Sequence, residues 1–307
     1  MQIIAQARQL EAGSRKVCVA IGVFDGVHLG HQQVIRQTLA DARQHEGLAV
    51  VATFDRHPSA VVAPDHTPPM IYSLSQKLRA IESLGIEATL LIGFDRAFSQ
   101  VHAGDFVREL ACGFRHLCSV CVGSGFAFGH GRSGNVALLK SLGGELGFSV
   151  HGLASVSLDG ETVSSTRIRQ AIRTGELDNA SQMLGRPCSL CAQVVRGEGL
   201  GRRLGFPTAN LDAAGLALPP TGVYAAHARL DEREYRAVLN LGCRPTLRRP
   251  TPRLQVEAHL LDFSGDLYDR ELEIVWVAKL REEEKFGSRA ALQAQIGQDI
   301  VAARALF

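Results

Sequence analysis

The hydrophobic pattern of this chain changes period near residues 183–190, "MLGRPCSL", and that change constrains its fold more than any other feature. Upstream, continuous apolar runs recur as "KVCVAIGVF" (16–24), "LAVVATF" (48–54), "EATLLIGF" (87–94) and "HLCSVCVG" (116–123). Between them lie stretches of helical periodicity: "GHQQVIRQTLADARQHEG" (30–47), "SLSQKLRAIESLG" (73–85, with Ser73 as N-cap) and "AGDFVRELACGF" (103–114). Strands apolar on both faces, alternating with amphipathic helices, predict a parallel α/β sheet covered on both sides. Downstream the runs are short and alternate between apolar and polar: "CAQVVRG", "GVYAAHARL", "REYRAVLNLG", "LQVEAHLLDF" and "ELEIVWVAKL". That pattern predicts a small antiparallel β-barrel or sandwich, closed by the helix "SRAALQAQIGQDIVAARALF" with Ser288 as its cap. At 307 residues the chain exceeds one ordinary core, so two domains are expected, 1–184 and 185–307.

A net charge of +2 gives no global attraction to nucleic acid or membrane, so any affinity for anions must be local. No apolar run approaches the length of a membrane span, and the N-terminus lacks the pattern of a secretory signal; a cytoplasmic protein is expected. The seven cysteines include two pairs with C-x-x-C spacing, Cys118/Cys121 and Cys188/Cys191. "HLCSVCVG" reads as a buried strand, and a zinc site needs tight turns at both pairs, so buried reduced thiols are expected instead. The arginine-rich "RPTLRRPTPR" (244–253) lacks aromatic residues for base stacking, is broken by prolines, and reads as a solvated loop.

Two segments concentrate the chemistry. In "GVFDGVHLGHQ", Gly22, Phe24, Asp25 and Gly30 form a turn at a strand exit and are expected to bind nucleotide phosphate, and His28 and His31 stand where a helix begins. A helix N-terminus attracts anions, and two imidazoles three residues apart can face one ligand and stabilise charge on a phosphorus centre. "SSTRIRQAI" adds Ser164, Ser165 and Thr166 at a second helix start, with Arg167 for charge-assisted bonds to phosphate. The glycine-rich "VGSGFAFGHGRSGN" (122–135) is a third turn. In "VVRGEGLGRRLGFPTANLD", Gly197, Gly199, Gly201 and Gly205 make a loop that lets phosphate approach. Thr208 and Asn210 follow at alternate positions, and their hard oxygens suit Mg²⁺. Glu257 sits within an otherwise apolar strand, where a carboxylate pointing into the core would need a function such as accepting a proton from a substrate hydroxyl.

These motifs resemble a known family. "GVFDGVHLGHQ", "TFDRHP" and "SSTRIR" are similar to the HxGH nucleotidyltransferases, and most of all to the FMN adenylyltransferase half of the bacterial bifunctional riboflavin kinase/FAD synthetases. "GLGRRLGFPTANL", "GVYAA", "NLGCRPT", "VEAHLLDF" and "REEEKF" resemble the riboflavin kinase half. The resemblance implies that riboflavin and ATP give FMN, and that FMN and ATP then give FAD and pyrophosphate. By the same likeness His28 and His31 stabilise adenylyl transfer, while Ser165, Thr166 and Arg167 hold phosphates. Thr208 and Asn210 bind Mg²⁺ and ATP phosphates, and Glu257 is the base. Asn135, Arg281 and Phe286 lie on flavin-side segments, and a monomer or weak homo-oligomer is expected. The family pattern carries a polar residue where this chain has Gly125 and often a basic one where it has Ala127. These departures imply either weaker adenylylation or an altered acceptor in the first half.

Overall fold

The computed structural model describes residues 1–244 and 253–307, which form two compact units. Met1–Ile168 and Met183–Gly185 make the first, and Arg169–Gln182 with Arg186–Phe307 the second. In chain order the first contains β1 (Gln2–Ile4), β2 (Val17–Ile21), α1 (Leu29–Gln44), β3 (Leu48–Phe54), α2 (Ser59–Val62), α3 (Leu74–Glu82) and β4 (Ala88–Ile92). It continues with α4 (Ala103–Phe114), β5 (Leu117–Gly123), α5 (Val136–Leu146), β6 (Ser149–Leu153) and a small hairpin, β7 (Ser157–Leu158) with β8 (Glu161–Thr162). The helices α6 (Ser165–Thr174) and α7 (Leu177–Leu184) carry the chain into the second unit.

The six-stranded sheet has the order β1-β4-β3-β2-β5-β6 and is parallel throughout. Its central strands are buried on both faces for a visible reason. Val17, Val19 and Ile21 of β2, with Val50 and Ala52 of β3, pack with Phe106, Leu110 and Leu139 of α4 and α5. The alternate residues Cys18, Ala20, Ala49 and Val51 pack with Val34, Ile35 and Ile81 of α1 and α3. With no polar face required, near-continuous apolar runs result. From β2 the chain progresses through β3 and β4 on one side and returns through β5 and β6 on the other. The strand order therefore reverses at β2, and ligands in such sheets bind beyond the carboxyl ends of the strands at that point.

The second unit contains β9 (Ser189–Val195), α8 (Leu200–Arg203), β10 (Ala209–Leu211), β11 (Gly222–Leu230), β12 (Arg233–Arg244), β13 (Arg253–Leu260), β14 (Glu271–Arg281) and α9 (Arg289–Arg304). Its strands close into an antiparallel barrel of order β10-β13-β12-β11-β14-β9. A six-stranded barrel is narrow, and alternation along each strand points one set of side chains inward. The inward set is accordingly rich in small residues: Ala226, Ala228, Ala237 and Ala258 are fully buried between Leu239, Leu241, Leu272 and Ile274. The C-terminal half of α9 covers the outside, where Ala303, Ile300 and Phe307 join Val223, Ala225 and Val238. Ser288 caps α9 as expected, its hydroxyl accepting from Ala291 N at 3.1 Å.

Cys121, Cys188 and Cys191 are buried, and burial pushes the thiols of Cys121 and Cys188 up to about 12 and that of Cys18 up to about 11. Cys121 lies on β5 and Cys191 on β9, which accounts for their apolar surroundings.

Candidate active sites

The loop leaving β2 is held in an unfavourable backbone conformation. Phe24 and Val27 have φ of 51° and 41°, a region that bulky and β-branched residues avoid. Such a loop persists only where its surroundings over-determine it. The buried Asp25 carboxylate accepts from Ile71 N at 3.0 Å and Tyr72 N at 3.2 Å. Gln32 donates to Val27 O at 3.0 Å, and Ser165 Oγ donates to Asp25 O at 3.1 Å. Gly22 packs over the Phe24 ring, and that ring meets His31 edge-on at 5.2 Å. Phe24 and Asp25 thus support the turn from behind.

The loop delivers His28 as the N-cap of α1, its Nδ1 accepting from His31 N at 3.4 Å. The two imidazoles are stacked with centroids 3.6 Å apart and 20° between planes. Gly30 has a concrete cause: a Cβ there would press on the His28 ring at 3.2 Å. With Nδ1 accepting, a neutral ring carries its proton on Nε2. The capping and ligand-binding interpretations of the histidines are therefore compatible.

Ser164 caps α6 by accepting from Arg167 N at 3.2 Å, and Thr166 lies exposed in the first turn. The Ser165 bond to Asp25 joins this second motif to the first. Arg167 faces the β7–β8 hairpin: its guanidinium donates to Leu158 O and Glu161 O, both at 3.2 Å, and pairs with the Glu161 carboxylate at 3.1 Å. Asn135 caps α5, its Oδ1 accepting from Leu138 N at 3.0 Å. A Cβ at Gly125 would meet nothing within 4 Å, so a larger side chain has room there. Phe126 and Phe128 flank Ala127 and stack with centroids 5.2 Å apart.

In the barrel unit the polar groups stand on strands. Register places Asn210 of β10 and Asn240 of β12 on either side of Glu257 of β13. Glu257 departs from the core-pointing position expected for it. Val256, Ala258 and Leu260 take the barrel interior, and Glu257 is half-buried on the outer wall. The period of two decides this: a strand apolar at nearly every position still has only one face inside. His259, two residues on, shares that face, its Nδ1 2.8 Å from Pro207 O.

Glu257, Asn240, His259 and Thr208 line a cavity of about 420 Å³ beneath the N-terminal half of α9, together with Arg281 and Phe286. A second cavity of about 270 Å³ lies between Arg202, Pro207 and the 263–268 turn, and Thr208 lines both. The glycine loop closes tightly on this point. A Cβ on Gly197 would overlap the Asn210 amide, and one on Gly201 would overlap Phe206 O and crowd Thr208. Gly199 precedes α8 with φ of 66°, and Gly205 follows it with φ of 86°. The Arg281 guanidinium forms a two-pronged ion pair with Asp299 of α9, both bonds 2.8 Å, and lies 5.6 Å from the centre of the Phe286 ring. That pairing raises the already high arginine pKa.

Sequence reasoning missed Asn240, His259, Asp299 and the buried Lys77 of α3. His259 had a signal, the i+2 spacing from Glu257, and Lys77 had one in a lysine on the apolar stripe of its helix. Asn240 and Asp299 become relevant only through strand register and helix placement. "RPTLRRPTPR" lies almost wholly outside the described residues, as does the end of "NLGCRPT". Among the described residues no helix is long and apolar enough to cross a membrane.

A parallel-sheet unit with a histidine-capped helix and a closed barrel with a glycine loop make a two-domain phosphoryl- and nucleotidyl-transferase architecture. The profile of the family FAD synthetase matches residues 10–167, and that of riboflavin kinase matches residues 184–307. The chain belongs to the bifunctional riboflavin kinase/FMN adenylyltransferase family. Relatives bearing that name from Escherichia coli (strain K12) and Pseudomonas fluorescens are each 36% identical, over all of this chain and 98% of theirs. A crystal structure from Streptococcus pneumoniae, described as a macrolide-efflux protein, is 28% identical with a TM-score of 0.81 over 98% of both chains.

Proposed function

We propose that the barrel unit phosphorylates riboflavin with ATP to give FMN, and that the sheet unit transfers AMP from a second ATP to FMN, giving FAD and pyrophosphate. The observation that carries the kinase assignment is the meeting of two cavities at Thr208, with Glu257 beside the junction. The larger, with Arg281 and Phe286, suits the flavin, and the smaller suits the nucleotide. Glu257 takes the proton of the ribityl hydroxyl as its oxygen attacks the γ-phosphorus. The bond from that phosphorus to the β–γ bridging oxygen breaks, and ADP leaves. Asn210 and Asn240 stand opposite Glu257 on the two neighbouring strands. The Thr208 hydroxyl and Asn210 carbonyl are hard oxygens beside a loop that admits phosphate, which fits Mg²⁺, an ion that takes few protein ligands and shares phosphates. When bound there it would neutralise phosphate charge.

In the sheet unit an FMN phosphate oxygen attacks the α-phosphorus of ATP, and the bond to pyrophosphate breaks. The Nε2–H of His28, the His31 ring stacked on it and the N-terminal end of α1 supply positive potential to the phosphorus centre. Ser165 and Thr166 serve phosphates from the start of α6. Arg167 contributes either by holding the β7–β8 hairpin, as it does here, or by turning to phosphate once ATP arrives.

We place the domain division at 184/185. The enzyme is assigned to the cytoplasm, where its ATP is, as a monomer or weak homo-oligomer acting on small molecules rather than nucleic acid. Gly125 and Ala127 favour one alternative, a full kinase with a weakened or acceptor-altered adenylyltransferase. A timed reaction of the protein with riboflavin, excess ATP and Mg²⁺, resolved chromatographically, tests both. FMN that rises and gives way to FAD is expected; FMN accumulating alone selects the alternative, and no FMN at all refutes the kinase assignment.

A further inference from the structure

Lys77 is almost completely buried, 1% exposed, on the inner face of α3 beside Gln76 and Ile81. Burying an ammonium is costly, and an apolar residue of similar length would pack on the same face at lower cost. What Lys77 has that such a residue lacks is three donors. Nζ donates to Phe54 O at 2.6 Å, to Thr53 Oγ1 at 3.3 Å and to Val23 O at 3.4 Å. Thr53 Oγ1 in turn donates to Val23 O at 3.0 Å, closing a triangle. Val23 is the second residue past β2, and Thr53 and Phe54 end β3. The ammonium therefore ties together two neighbouring strand exits. One leads through the strained Phe24–Val27 turn to His28, the other into Asp55–His57.

We propose that Lys77 is a positioning residue for adenylyl transfer: its ammonium holds the exits of β2 and β3 in the geometry that aims the His28 ring at the reacting phosphorus. This rests on the reading of His28 given above. Lys77 is too buried to touch substrate and acts through the backbone of Val23. Burial lowers its pKa to about 8, against the opposing pull of Asp25 after β2 and Asp55 after β3. The tie accordingly loses its charge within an accessible pH range.

The test is Lys77→Met in the full chain, assayed for adenylyl transfer from supplied FMN and ATP with riboflavin phosphorylation as the internal control. The kcat for FAD formation is expected to fall by about tenfold or more, since small misplacements of a catalytic group are costly, while KM for ATP stays within about twofold. Phosphorylation of riboflavin is expected to be unchanged, and an unchanged far-UV circular dichroism spectrum and denaturation midpoint show that the sheet unit of the variant is folded. Wild-type kcat is expected to decline as pH rises through about 8, and Lys77→Met to lack that decline. Lys77→Arg, which stays charged, is expected to restore activity above that pH. A kcat within twofold of wild type, or an unaltered alkaline decline in Lys77→Met, overturns the proposal. His28→Ala run in parallel separates the two failures. If it too leaves FAD formation intact, the His28 reading itself is wrong; if it alone abolishes FAD formation, only the Lys77 role fails.

Discussion

In the sheet unit the groups proposed to act on phosphate stand where strands end; in the barrel unit the proposed base Glu257 and the asparagines beside it stand on the strands themselves. The reason is which surface each architecture leaves open. A parallel sheet covered by helices on both faces has no free strand surface, so its site is built from the loops beyond β2 and from helix starts. A closed barrel fills its inside with small apolar residues and keeps an outer wall, on which Glu257, Asn210 and Asn240 align by register alone. A loop-borne site needs anchors, and the Phe24–Val27 turn has them in Asp25, Gln32, Ser165 and Lys77. A strand-borne site needs only correct pairing, because the ladder supplies the rigidity.

Four experiments break or sharpen this contrast. Glu257→Gln keeps the shape of the side chain and removes the base; riboflavin phosphorylation is expected to drop by roughly 10²–10⁴-fold. FAD formation from supplied FMN should continue at the wild-type rate in the same preparation. His28→Ala is the mirror image, lowering FAD formation by about 10²–10³-fold with the kinase unaffected. If either substitution damages both activities, the two sites do not work separately. Gly197→Ala forces a methyl against the Asn210 amide, and the displaced phosphate loop is expected to cost about 10²-fold in kinase kcat/KM. Gly125→Asn goes the other way: with open space around its Cβ, an added amide is expected to raise kcat/KM for FMN by about tenfold, the worth of one hydrogen bond to a charged group. An unchanged value would mean that this position contributes nothing to flavin recognition.

A stability measurement has the smallest expected effect. Burial holds the Lys77 pKa at about 8, below the 10.5 of a free lysine, so between these values the unfolded chain binds more protons than the folded one. Stability then rises with pH, by about 1 kcal/mol between pH 8 and 9. Denaturant unfolding followed by far-UV circular dichroism should show the increment in wild type and lose it in Lys77→Met. Fluorescence of Trp276, which reports the barrel unit, should not show it.

The local elements were legible in the sequence because their causes are local. "LAVVATF" is β3, "AGDFVRELACGF" is α4 and "GVYAAHARL" is β11, each to the residue, since a period of two or 3.6 is written in consecutive side chains. The Ser73 and Ser288 caps were legible for the same reason. Strand β1, three residues at the sheet edge, left no such signature, and neither did the β7–β8 hairpin.

The sequence by itself determined the change from parallel sheet to antiparallel strands, the motif around His28 and His31, and the glycine loop leading to Thr208 and Asn210. All of these depend on composition and spacing within about twenty residues. Tertiary structure alone decided that Glu257 faces outward, that Asn240 joins it, that Asp299 takes the Arg281 guanidinium, that two cavities share Thr208, and that Lys77 bridges two strand exits. Each of these is a meeting of residues far apart along the chain, set by strand register, barrel closure and helix docking. Those depend on how the whole unit packs, and no local pattern encodes them.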